Sequence, residues 1–167
     1  MTYISEQLLN TVLILSRGDL SNDNDNTIKY KLKENIEGKC HEDGYIIKDS
    51  IHIVKRNMGK IVTNNNKSEI KYLITYKAQV ISPSENDELS IYVNNINKMG
   101  VIGYIKLDEG DTSEESPLIV MIPKEYFSDS SRNFDDLTIG QQFDVSVVGS
   151  RIKYRSEKIQ IIAKLSE

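Results

Sequence analysis

Residues 70–81, reading IKYLITYKAQVI, alternate along most of their length. Ile70, Tyr72, Ile74, Tyr76, Ala78 and Val80 point one way, and Lys71, Thr75, Lys77 and Gln79 the other. A period of two marks a half-buried β-strand, because successive side chains leave opposite faces of the pleat. At about 3.3 Å per residue the segment spans roughly 40 Å, longer than an ordinary strand. It is therefore expected to bend or to run from one domain into the next. Ser82, Pro83, Ser84, Glu85, Asn86 and Asp87 break the alternation and place a domain boundary near residue 82.

Upstream of this strand the period changes. Residues 11–15 read as a short apolar strand and residues 16–26 as a polar stretch leading into a helix. Over residues 26–37, Ile28, Leu32 and Ile36 recur every fourth position with Lys29, Lys31, Lys33 and Glu34 around the other sides, which predicts one amphipathic helix. Asp25, Asn26 or Thr27 can accept from its first-turn amides, and Gly38 can adopt the left-handed conformation that ends it. Beyond the helix the pattern returns to two. Residues 45–48, 50–55 and 59–62 are strand candidates, and residues 63–67 a polar loop.

Downstream of residue 82 five strands are expected, at 89–94, 100–106, 118–122, 142–148 and 158–164, with an acidic loop at 107–116. Residues 151–155 either extend the fourth or pair with the fifth. Several short strands with no long helix in about 85 residues suggest a small closed barrel.

Composition narrows the function classes. Of 167 residues, 38% are hydrophobic and 28% charged, as in an ordinary soluble globular protein. No apolar run approaches the roughly 18 residues of a membrane helix, and the first residues lack a basic flank and a cleavage site, so neither a membrane-spanning nor a secreted protein is expected. Cys40 is the lone cysteine and His41 and His52 the two histidines, too few for a disulfide or a Cys/His zinc cage. A reducing compartment and no cofactor are expected. The net charge of −4 is uneven: residues 1–80 hold 12 Lys and Arg against 10 Asp and Glu, and residues 81–167 hold 9 against 15. A protein that holds nucleic acid unaided usually carries a strong basic excess, which this chain lacks.

Several local strings now fall into order. The helix ends in Glu37-Gly38-Lys39-Cys40, Gly44-Tyr45-Ile46 turns into a strand, and Gly59-Lys60-Ile61 precedes a tip loop. Residues 72–83 read YLITYKAQVISP, and Gly100 opens the second barrel strand. Across about 150 residues this order resembles the stalk subunit of multi-subunit DNA-directed RNA polymerases, the seventh subunit of RNA polymerase II and its archaeal E-prime counterpart. The chain departs from that family at the tip loop, where Thr63 and Asn65 replace a usual proline and aspartate and Asn66 a usual glycine. Asparagine is the residue that best tolerates a glycine-like positive φ after glycine itself. Leu89-Ser90 also replaces the common start of the first barrel strand.

The resemblance implies an α+β chain: a truncated ribonucleoprotein-like tip domain over residues 1–81 and an all-β OB-fold barrel over 82–167. It implies a non-catalytic subunit that docks on the polymerase core through Gly44, Tyr45, Gly59, Lys60, Ile61, Asn65 and Asn66. Its partners would be core subunits, a second stalk subunit and nascent single-stranded RNA, with no membrane. An intracellular setting follows, in the nucleus or, for a viral protein, the virion or viral factory. Ile, Lys and Asn are abundant and Lys outnumbers Arg 16 to 5, the bias of an AT-rich genome; taken with the departures from the family's usual residues, a large DNA virus that encodes its own polymerase is the expected source.

An OB barrel that holds RNA needs aromatic faces for stacking and cations along the backbone track. Tyr92, Tyr104 and Tyr154 are the aromatic candidates, and Lys98, Lys106, Arg151, Lys153 and Arg155 the cations. Strand alternation would put Arg151, Lys153 and Arg155 on one face; a solvated strand face is the competing reading. The excess of acidic residues in this half leads us to expect weak RNA affinity, effective only when a polymerase holds the transcript nearby. Asp108, Glu109, Asp111, Glu114 and Glu115 do not follow calcium-loop spacing, and a flexible solvated loop is expected there. No nucleophile elbow or phosphate-binding glycine loop occurs, and adjacent Cys40 and His41 would face opposite ways on a strand. A stand-alone single-stranded RNA-binding OB protein is the alternative function, and an enzyme of another type a distant third.

Overall fold

The computed structural model describes residues 3–20 and 22–166. Its strands are β1 (Ile4–Leu15), β2 (Cys40–His41), β3 (Gly44–Ile46), β4 (His52–Arg56), β5 (Lys60–Asn64), β6 (Lys67–Ile81), β7 (Glu88–Asn97), β8 (Gly100–Tyr104), β9 (Leu118–Pro123), β10 (Gln142–Arg151) and β11 (Ile159–Leu165). Helix α1 (Asn24–Ile36) lies between β1 and β2 and is the one α-helix among the described residues. The chain is mostly β and contains a closed five-stranded barrel of the OB-like kind.

Two compact units are present. One takes Ser5–Gly38 and Ile46–Val80; the other takes Lys39–Tyr45, the chain from Ile81 onward and the described residues before Ser5. The chain passes into the barrel unit next to the expected boundary. The first unit is nevertheless not the unbroken segment 1–81, because residues 39–45 leave it.

In the helix-bearing unit, α1 starts two residues before its expected position. Asp23, not one of the residues after it, is the N-cap, accepting from the Asn26 N–H at 3.2 Å. Gly38 ends the helix at φ 72°, and its N–H donates to the Ile46 carbonyl. Ile28 and Leu32 are buried against Leu9, Leu13, Leu15, Tyr72, Ile74 and Tyr76. β1 runs from Ile4 rather than from residue 11. Its alternation is hidden in the sequence because Leu8, Val12 and Ile14 are exposed while Leu9, Leu13 and Leu15 are buried, so both faces read as apolar.

β6 is the spine of this unit and keeps the expected parity, with Tyr72, Ile74, Tyr76, Ala78 and Val80 all buried. Its first residues pair antiparallel with β5 and its middle residues with β4. Asn57 fills the gap between those two partners: its Oδ1 accepts from the Gly59 and Leu73 N–H groups. The turn between β5 and β6 is tighter than the expected loop. Asn64 pairs with Lys67, leaving only Asn65 and Asn66, at φ 49° and 62°, as turn residues. Two consecutive positive φ values define the hairpin turn whose twist matches the flanking strands.

The barrel closes in the order β10, β11, β9, β8, β7 and back to β10, with β9 and β11 parallel and the other pairs antiparallel. Leu89, Ile91, Val93, Val101, Leu118, Val120, Ile122, Phe143, Val145, Val147, Ile159, Ile161 and Ala163 fill its interior. Gly100 opens β8 at φ 151°, and a Cβ there would lie 2.1 Å from the Ile122 carbonyl oxygen. β10 ends at Arg151, and residues 152–158 lie outside any strand, with a turn at 154–155 and Arg155 at φ 63°. Arg151, Lys153 and Arg155 therefore do not share a strand face, contrary to expectation; the left-handed residue breaks the alternation.

The acidic loop is built on its own carboxylates. Asp111 accepts from the Leu107 and Asp108 N–H groups, Glu115 from the Thr112 N–H, and buried Ser116 Oγ from the Ile105 and Leu118 N–H groups.

Candidate functional site

Two surfaces carry the residues singled out above, one in each unit. In the helix-bearing unit, Gly59, Lys60, Ile61, Asn65 and Asn66 come together on the β5–β6 hairpin. Gly59 is required at its position: φ is 87°, and a Cβ would meet Ile70 and Tyr72 side-chain atoms at 2.8 Å. That close approach lets the chain enter β5 flat against β6. Ile61 then stands 72% exposed beside an open groove of 780 Å³ lined by Leu15, Arg17, Leu20, Lys67 and Ile70. The apolar part of the groove is Leu15, Leu20, Ile61 and Ile70, and Ser16, Arg17, Asn66, Lys67, Ser68 and Glu69 make the rest polar or charged. Asp19 at the adjoining turn is already engaged by Ser16 and Lys31, and those partners hold its carboxyl below the usual carboxylate range.

Gly44 and Tyr45 are not part of this surface. Both are buried in the β2–β3 hairpin of the barrel unit, where Cys40 pairs with Tyr45 and exchanges backbone hydrogen bonds with Arg155 and Ser156. Burial raises the Tyr45 hydroxyl pKa, with Cys40, Glu157 and Asp111 adding to it. Burial likewise pushes the Cys40 thiol up to about 11. The sequence string Gly44-Tyr45-Ile46 is a turn into a strand, as read, but its hydrophobic tyrosine is core rather than contact surface.

In the barrel unit the eight RNA candidates separate into three places. Tyr92 and Tyr104 sit directly opposite each other on β7 and β8, ring centroids 5.8 Å apart at 33°, and Lys106 Nζ lies 4.5 Å from the Tyr92 centroid. Lys98 is exposed in the β7–β8 turn, at the far end of that hairpin. Arg151, Lys153, Tyr154 and Arg155 follow the opposite end of β10 from Gln142, which is the residue paired with Tyr92. There Tyr154 meets His41 edge to face at 6.2 Å, with the Arg155 guanidinium 5.6 Å from its ring.

The first of these places adjoins a cleft that sequence reasoning did not find. Tyr104 borders a 330 Å³ depression on the outside of the barrel, with Ile102 and Ile119 as its apolar part and Asn94, Glu114 and Lys158 around it. The alternation of β8 and β9 would have shown which residues face out. Bringing them beside Glu114 needs the strand register and the fold of the acidic loop, neither of which a single sequence contains. Chemically, the pair and cleft offer an aromatic ring for stacking, two lysines, of which Lys158 is engaged by the Ser113 carbonyl, and one carboxylate. No group of three or more His, Cys, Asp or Glu residues placed to hold a metal exists among the described residues.

No family model and no curated protein matches this chain. Among solved structures, it is similar to an uncharacterized protein from Methanocaldococcus jannaschii, at 16% identity and a TM-score of 0.36, over 52% of this chain and 96% of that one.

Proposed function

We propose that this chain is a non-catalytic stalk-type subunit of a DNA-directed RNA polymerase. The helix-bearing unit is a truncated ribonucleoprotein-like tip that docks on the polymerase core through Lys60, Ile61 and the Asn65-Asn66 turn. The barrel is an OB fold that contacts nascent single-stranded RNA through Tyr104, Tyr92 and Lys106. The protein then works wherever that polymerase does, in the nucleus or, for a viral enzyme, in the virion or viral factory.

The observation that carries this reading is the exposed Ile61 on a tight hairpin, lining an open groove with Leu20 and Ile70. A scattered exposed apolar residue needs no explanation, but Ile61 stands at the edge of a groove that also holds Leu20 and Ile70 among polar and charged residues, the mixed kind of surface that a partner protein can cover. The order of motifs quoted from the sequence supplies the kind of partner. For the barrel, support comes from an aromatic pair with an adjacent cation, the combination that stacks bases and follows phosphates.

Affinity purification of the tagged chain from cells that express it tests the reading. Stoichiometric recovery of the large polymerase subunits is expected. Recovery without them, together with tight RNA binding that falls steeply with salt, would favour the stand-alone RNA-binding protein instead.

A further inference from the structure

The RNA-contacting reading of the barrel can be deepened to a base preference, and this step rests on that reading. Lys106 lies over the Tyr92 ring and Tyr104 packs beside it, so a base stacking on Tyr92 would have to displace Lys106 from the face it covers. Tyr104 is the ring that borders open space, and the space it borders is the 330 Å³ cleft. That volume is at the lower end of ordinary small-molecule sites, about 300 Å³, which suits one planar base rather than a larger ligand. Ile102 and the exposed Ile119 give the cleft an apolar surface that a base can cover.

The polar groups around it are unequal. Lys158 Nζ already donates to the Ser113 carbonyl at 2.6 Å. Glu114 has no hydrogen bond or ion pair among the described residues, and its carboxylate is an acceptor only. A carboxylate beside an RNA track repels phosphate, so it disfavours RNA in general and favours only a base that donates to it. Guanine presents two neighbouring donors, N1–H and the N2 amino group, which match the two oxygens of one carboxylate. Adenine and cytosine present one amino group beside a lone-pair nitrogen, and uracil one N–H between two carbonyls.

We propose that this cleft takes a single guanine base of single-stranded RNA, stacked on Tyr104 and covering Ile102 and Ile119, with N1–H and N2–H donating to Glu114. Asn94 lies at the same rim and supplies an amide for the remaining base edge.

Fluorescence anisotropy of the full chain with a labelled ten-residue oligouridine, and with the same oligomer carrying one central G, A, C or inosine, tests this. The single G is expected to tighten binding about tenfold, the scale of one charge-assisted hydrogen-bonded pair. Inosine, which lacks the N2 amino group, falls between G and U. Glu114→Ala removes the G preference while leaving oligouridine binding equal or tighter. Equal binding of all oligomers overturns the guanine assignment and leaves the RNA-contacting reading standing. A G preference that survives Glu114→Ala overturns the assignment to this cleft. Failure to bind any oligomer even at about millimolar protein, the order of effective concentration that a polymerase-held transcript would meet, overturns both.

Discussion

Tyr92 and Tyr104 face each other across β7 and β8 with ring centroids 5.8 Å apart, and Lys106 lies over the Tyr92 ring rather than over Tyr104. The two tyrosines are therefore unequal although the sequence presents them alike. One is held between a cation and its neighbour, and the other borders an open cleft.

Tyr104→Ala is expected to weaken single-stranded RNA binding by about 1 to 3 kcal/mol, the usual worth of one base–aromatic stack. Tyr92→Ala should cost less, acting through the support it gives to Tyr104. Anisotropy titrations of both variants at one salt concentration check the order. A larger loss for Tyr92→Ala would contradict the assignment of Tyr104 as the platform.

Gly100→Ala should destabilise the barrel strongly. The added Cβ would lie 2.1 Å from the Ile122 carbonyl, a backbone atom that cannot rotate away, and the residue sits at φ 151°. Clash and strain together put the loss at about 3 kcal/mol or more, at the upper end of point mutations. Denaturant unfolding measures it; Gly110→Ala, where a Cβ meets nothing within 4 Å, is the control expected to be near neutral.

Alkaline pH should weaken the fold. The Cys40 thiol is pushed from 9.0 to about 11 by burial, so the folded state keeps its proton where the unfolded state loses it. Because the unfolded state then binds fewer protons, stability falls as pH rises from about 9 towards 11 and is unaffected by this group below that window. Tyr45, raised by burial and by Cys40, Glu157 and Asp111, adds in the same direction. Unfolding midpoints at pH 8, 9 and 10 should decline, and less steeply in Cys40→Ala. The same burial predicts that Cys40 resists thiol reagents at pH 8 until the protein is denatured.

What could be read in advance follows from the kind of signal each residue gives. β6 was legible because its polar and apolar residues alternate without exception from Ile70 to Ala78 apart from Leu73, and α1 because Ile28, Leu32 and Ile36 keep one spacing. Asn66 was legible as a glycine substitute, and its φ of 62° agrees. The start of β1 was not, since Leu8, Val12 and Ile14 make its solvent face as apolar as its core face. Tyr45 was misplaced because a tyrosine after a glycine looks the same whether it serves as contact or core. The division of Tyr92 and Tyr104 from Arg151–Arg155 depends on which end of β10 pairs with β7, a long-range fact that local periodicity does not carry.

The most direct measurement compares the wild-type chain with Lys60→Asp/Ile61→Asp for retention on the polymerase core through a salt wash. Both side chains are exposed on β5, so the variant should fold normally by circular dichroism and keep its RNA affinity. Loss of the large polymerase subunits from the variant, at unchanged fold, is the expected result. Equal retention of those subunits by both proteins would contradict docking through this hairpin, and their absence from both would contradict the stalk role itself.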